Sequence, residues 1–114
     1  MKSLYQPTTY ERKIVIPLLM KLISTTDKDN PYTSDRINYL LRVDHYLNQS
    51  NYAIQRLIHY LSITTKLDDG RMIITSSKGV YASKDKDNLI EYRKRIKAKI
   101  KRLKAIDLLI KETI

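Results

Sequence analysis

The sequence contains no cysteine, tryptophan or phenylalanine, and only two glycines and three prolines in 114 residues. The missing cysteine excludes a disulfide-stapled scaffold and any thiolate metal site, and it suits a reducing cytoplasm. With glycine at positions 70 and 79 alone, no glycine-rich loop can be built to cradle a phosphate. No apolar run approaches the roughly 18–20 residues of a membrane span. The first turns of the sequence also lack the charged, apolar and small-residue order of a secretory signal. His45 and His59 stand without a His-Glu-x-x-His or comparable ligand spacing, so no metal and no cofactor is expected. No serine has a nucleophile-elbow context. The acid pairs Asp27/Asp29 and Asp68/Asp69 fall in turn-like segments, where carboxylates usually bond local backbone. An enzyme is not expected.

What the sequence has in excess is positive charge. Lys and Arg number 22 against 12 Asp and Glu, a net charge of +10. Residues 1–70 carry nine basic and seven acidic side chains, whereas residues 71–114 carry thirteen and five. Between Arg93 and Lys104 lie eight cations, Arg93, Lys94, Arg95, Lys97, Lys99, Lys101, Arg102 and Lys104, without one acid. Such a run raises local anion concentration and releases counterions on meeting a phosphate backbone. It reads either as a solvated helix face or as a surface for an acidic partner, with nucleic acid the leading candidate.

Apolar residues make up 42% of the chain, enough for one modest core and one domain. Residues 1–7 read as a short tail. Thr8 with Glu11 reads as a capping box opening a helix, in which Ile14, Val15, Leu18, Leu19, Leu22 and Ile23 recur at helical spacing as one buried stripe. Pro17 inside that stripe predicts a kink or a helix restart, and residues 24–31 are turn chemistry. Thr33 or Ser34 caps a second helix with Ile37, Leu40, Leu41 and Val43 on its apolar face. Residues 44–49 are a turn or a helical extension. Ser50 caps a third helix, with Ile54, Leu57, Ile58 and Leu61 inside and Asn51, Tyr52, Gln55, Arg56 and His59 outside. After a turn at 67–71, two short β-type runs around Ser76–Gly79 read as a hairpin. From about Asp85 a long helix runs almost to the end, with Leu89, Tyr92, Ile96, Ile100, Leu103, Ile106 and Ile110 forming a packing seam.

From Ser50 onward this order resembles a family of small winged helix-turn-helix proteins common in bacteriophages and prophages. The matching residues are Ile58-His59-Tyr60-Leu61, Met72-Ile73-Ile74-Thr75, Gly79-Val80-Tyr81-Ala82 and Asn88-Leu89-Ile90-Glu91-Tyr92. Thr33-Ser34-Asp35-Arg36-Ile37 resembles that family's capped positioning helix. The resemblance covers residues 33–105. It implies a mainly α fold, with a winged helix-turn-helix of three helices and a short hairpin over residues 1–84. A basic C-terminal helix over 85–114 completes the same domain.

The expected partner is double-stranded DNA, with helix 50–62 in the major groove and the wing at 71–83 on the backbone. Amide, guanidinium and imidazole groups read base edges, which makes Asn51, Tyr52, Gln55, Arg56 and His59 candidate readers. Lys78 at the hairpin tip, with Arg71 nearby, and Arg93, Lys97 and Lys101 on the long helix are candidates for phosphate. Leu89, Ile96, Ile100 and Leu103 are the candidate dimerisation residues, since their seam must be covered by the first helix or by another subunit. The rival reading is a protein-interaction module that inhibits a host protein, because fold alone does not fix function. Either reading places the protein in the cytoplasm, that of the host cell if phage-encoded.

Overall fold

The structure, a computed structural model, describes residues 5–114. It is mainly helical. A π-helical turn, Glu11–Val15, leads into α1 (Ile16–Ile23), followed by α2 (Ser34–His45), α3 (Asn51–Thr64), β1 (Met72–Ser76), β2 (Gly79–Ser83) and α4 (Lys86–Thr113). The chain forms two compact units, one through Ser83 and one from Lys84 to Ile114.

In the first unit the capping box at Thr8 forms as its sequence implies. The Glu11 amide donates to Thr8 Oγ1 at 3.1 Å, and the Thr8 amide donates to Glu11 Oε1 at 2.9 Å. The tail expected over residues 1–7 lies partly outside the described residues, and its described part is not loose. Tyr5 donates its hydroxyl to Glu11, Pro7 is buried, and Arg12 bonds both the Pro7 carbonyl and the Gln6 side chain. Pro17 has no amide to donate and its ring excludes the carbonyl four residues back, so the preceding turn opens to π geometry and α1 restarts with proline in its first turn. The buried positions accordingly step by four, Glu11, Val15, Leu19 and Ile23. The wider turn offsets the drift that such steps accumulate in a regular α-helix. Ile14, expected in the stripe, is rotated out and is 43% exposed.

Three successive hydroxyls close α1. Ser24, Thr25 and Thr26 donate to the carbonyls of Lys21, Leu22 and Ile23, satisfying groups that a helix end leaves without partners. Buried Thr26 also accepts from the Ala82 amide at 3.0 Å, which fastens the end of α1 to β2. Thr33 caps α2 and Ser50 caps α3, each accepting an amide hydrogen bond at 3.1 Å. α2 continues through His45 and ends at Tyr46, whose left-handed φ of 55° turns the chain. The linking segment is therefore residues 46–50, shorter than the stretch from Asp44 read as turn or extension. Val43, expected on the inner face of α2, is 50% exposed, because Ile37 and Leu41 already fill that face.

Ile54, Leu57, Ile58 and Leu61 of α3 are all buried, as their spacing predicts. They join Val15, Leu19, Ile23, Ile37, Leu41 and Leu67, and the inward residues Ile73, Val80 and Ala82 of the hairpin, in one core. β1 and β2 pair antiparallel from Met72 opposite Ser83 to Ser76 opposite Gly79. Ile74 and Tyr81, opposite each other in that register, are buried on the other face of the ribbon. A third extended position was not legible in the sequence. Tyr32, just ahead of α2, exchanges two backbone hydrogen bonds with Val80, of 2.9 and 2.8 Å. Gly79 makes this approach possible, since a Cβ there would stand 2.5 Å from the Tyr32 carbonyl oxygen.

The second unit is α4, 28 residues long, or about 42 Å at the usual rise. Asp85 caps it by accepting from the Asn88 amide at 3.0 Å. No residue of α4 is buried. Leu89, Tyr92 and Ile96 are half-buried, while Ile100, Leu103, Ile106 and Ile110 are 46%, 60%, 47% and 53% exposed. The seam, expected to be covered by the first helix or by another subunit, is therefore exposed over its distal part. No glycine or proline follows residue 79 to turn the helix back.

Candidate nucleic-acid interface

The outer face of α3 carries the five side chains expected to read bases, and three of them are engaged within the chain. Asn51 donates to Asp35 and accepts from Asn38 at 3.0 Å, and Gln55 donates to Ser34 at 3.2 Å. These bonds form a polar clasp between the starts of α2 and α3. Tyr52, 69% exposed, and His59, also exposed, remain open to solvent.

Arg56 points to the other side. Its guanidinium lies 3.7 Å from Glu11 Oε2 and stacks over Tyr5 at 4.1 Å, with Tyr52 at 5.3 Å. Its Nε is buried without a hydrogen-bond partner. Burial pushes the Glu11 carboxyl upward, yet the hydrogen bonds from Tyr5 and Thr8 and the Arg56 charge outweigh it and hold the group below the usual carboxylate range. The Tyr5 phenol is raised, chiefly by its hydrogen bond to Glu11. Arg56 is thus the counter-charge of a buried acid, a role invisible in the sequence because Glu11 reads there only as half of a capping box.

The hairpin separates its two candidates. Lys78 is exposed in the two-residue turn, its amide bonded to Ser76 Oγ at 3.2 Å. Arg71 is not near that tip but precedes β1 at the opposite end, about 20 Å away by strand rise. It is held by Asp69 Oδ2 at 2.8 Å and by the Ser24 carbonyl at 2.9 Å. Asp69 takes the backbone and side chain of Arg71, and Asp27 takes the amides of Asp29 and Asn30, the local role expected of these turn acids.

On α4, Arg93, Lys97 and Lys101 are exposed, as are the other five cations of the run. A further cationic-aromatic stripe was missed in the sequence. Arg36 and Arg42 stand 5.7 and 5.9 Å from the Tyr39 ring on α2, one helical turn to either side. Its spacing of three is legible in the sequence. No helix among the described residues is long and apolar enough to cross a membrane. Comparison of the chain with protein-family models, with curated proteins and with solved structures finds no match to any of them.

Proposed function

We propose that this chain binds double-stranded DNA as a winged helix-turn-helix protein, and that phosphate contacts carry most of its affinity. The observation that carries the reading is the exposed run of eight cations without an acid between Arg93 and Lys104 on α4. The order α1, α2, α3 and hairpin, with the Tyr32 backbone bridging to β2, supports a winged helix. In this reading Lys78 and the cations of α4 lie on the backbone, and α3 offers Tyr52, His59 and the outer part of Gln55 to the groove. The internal bonds of Asn51 and Arg56 favour a backbone-led mode, in which most contacts position the protein and few specify sequence. A regulator encoded by a phage is the setting this reading suggests.

Binding of a short random duplex, followed by fluorescence anisotropy, should weaken steeply from low to physiological salt. Replacing Lys97, Lys101 and Lys104 together by Gln should flatten the log–log salt slope by about 0.9 for each lost phosphate contact. Lys78→Ala should weaken random and selected duplexes alike, whereas Gln55→Ala should weaken a selected site more. Salt-independent binding, or none at low salt, counts against the proposal. One observation favours the rival, a module that binds a host protein: Tyr39, Val43 and Tyr46 are 46%, 50% and 89% exposed along α2, and exposed Tyr beside Arg is the composition of interface hot spots.

A further inference from the structure

We propose that α4 pairs with α4 of a second copy of this chain as an antiparallel two-helix coil, through Ile96, Ile100, Leu103, Ile106 and Ile110. The inference does not rest on DNA binding. The seven seam positions from Leu89 to Ile110 span 22 residues in six steps, and Leu89, Ile96, Leu103 and Ile110 stand seven apart. The mean step is 3.5. A straight helix drifts by about 20° per heptad against such a repeat, so only a supercoiled partner helix keeps the seam covered along its length. The partner is therefore a helix, not a flat surface. α1, α2 and α3 have 8, 12 and 14 residues and their apolar faces lie in the core. Among the described helices α4 alone has both the length and an apolar face without cover.

Charge sets the orientation. Residues 93–104 carry eight cations and no acid, whereas residues 105–114 carry Asp107 and Glu112 against one Lys111. A parallel pair would stack the cationic stretch on itself and set Lys99 beside Lys99. In the antiparallel pair, with Ile96 against the partner's Ile106, Lys99 meets the partner's Leu103 and Arg93 lies beside the partner's Asp107, each twice by symmetry. Lys94, Lys97, Lys101 and Lys104 fall on heptad positions directed away from the seam, where they stay free for other anions. Because like charges still oppose one another across the pair, salt strengthens self-association by screening them. That sign is opposite to the sign for DNA binding, so the two proposals fail separately.

The test is sedimentation equilibrium of the full chain over a range of concentration and salt. A dimer that strengthens with salt is expected, and a chain that stays monomeric throughout overturns the proposal. Leu103→Asp should give a monomer. Should that change also unwind α4, the charge pair decides: Arg93→Glu and Asp107→Arg should each weaken association by about tenfold, and the two together should restore it. Failure of the restoration overturns the pairing. The chain has no cysteine, so engineered thiols report orientation cleanly. Ile96→Cys with Ile106→Cys should oxidise to a covalent dimer, while a covalent dimer from Ile96→Cys alone would require the parallel arrangement and refute this one.

Discussion

A carboxylate as buried as that of Glu11, 6% exposed, stays charged only because its neighbours supply donors and a cation. Its contribution to stability follows from the direction of its shift. Held below its ordinary value of 4.5, the group contributes fully above that value, and the contribution is lost as pH falls through the lower, folded-state value. The Tyr5 phenol is raised above 10.0, so its contribution is intact below that value and lost as pH rises further. Glu11→Gln should therefore flatten the acid limb of a stability–pH profile, with its cost largest at neutral pH and smallest in acid, where Glu11 is itself protonated. Arg56→Ala leaves the acid without its counter-charge and should cost about 1–3 kcal/mol in urea denaturation at neutral pH. The Arg56 side chain is one-third exposed, which keeps the figure below that of a fully buried pair. If Arg56→Ala lowered DNA affinity without lowering stability, Arg56 would be a reader and not a clamp.

The hairpin and the segment before α2 depend on a single missing side chain. Gly79 has φ of 133° and a Cβ added there would meet the Tyr32 backbone. Gly79→Ala combines backbone strain with a clash that no side-chain rotation relieves, and a loss of about 2 kcal/mol or more is expected from its thermal midpoint. Gly70 also has positive φ, of 89°, but open space around it, so Gly70→Ala should cost less. The contrast shows what the sequence could and could not disclose. Both glycines mark turns, and the hairpin around Gly79 is legible from the aliphatic runs that flank it. That Tyr32 lies against it is a contact across 47 positions, and no local periodicity encodes it. Caps at Thr8, Thr33, Ser50 and the inner face of α3 were legible because each depends on neighbours within a turn. The clasp of Asn51 and Gln55 by Asp35, Asn38 and Ser34 was not, because two exposed polar faces show no preference for each other until the helices are packed. Ile14 and Val43 were misplaced for a related reason. An apolar residue at the margin of a helical stripe is buried only if a neighbouring element reaches it.

At the level of the whole molecule, charge and apolar exposure fall on the same element. α4 bears the cationic run and the seam, and none of its residues is buried, whereas the unit through Ser83 has a closed aliphatic core. Helical stability in proteins comes mainly from packing of an apolar face, so the two units should open with different free energies. Ten Lys and Arg side chains lie between Lys86 and Lys111, and each is a potential trypsin cleavage point on a helix that can unwind locally. Brief trypsin digestion should therefore remove α4 stepwise and leave a resistant fragment ending near Lys84 or Lys86, read by mass spectrometry. Protection of α4 by added duplex at low salt would register phosphate contact, and protection by raised protein concentration at high salt would register self-pairing. Cleavage within the core helices at the same rate as within α4 would show that the two units do not differ in local stability. A protease that reads lysine thus becomes a clock for whatever partner α4 is holding.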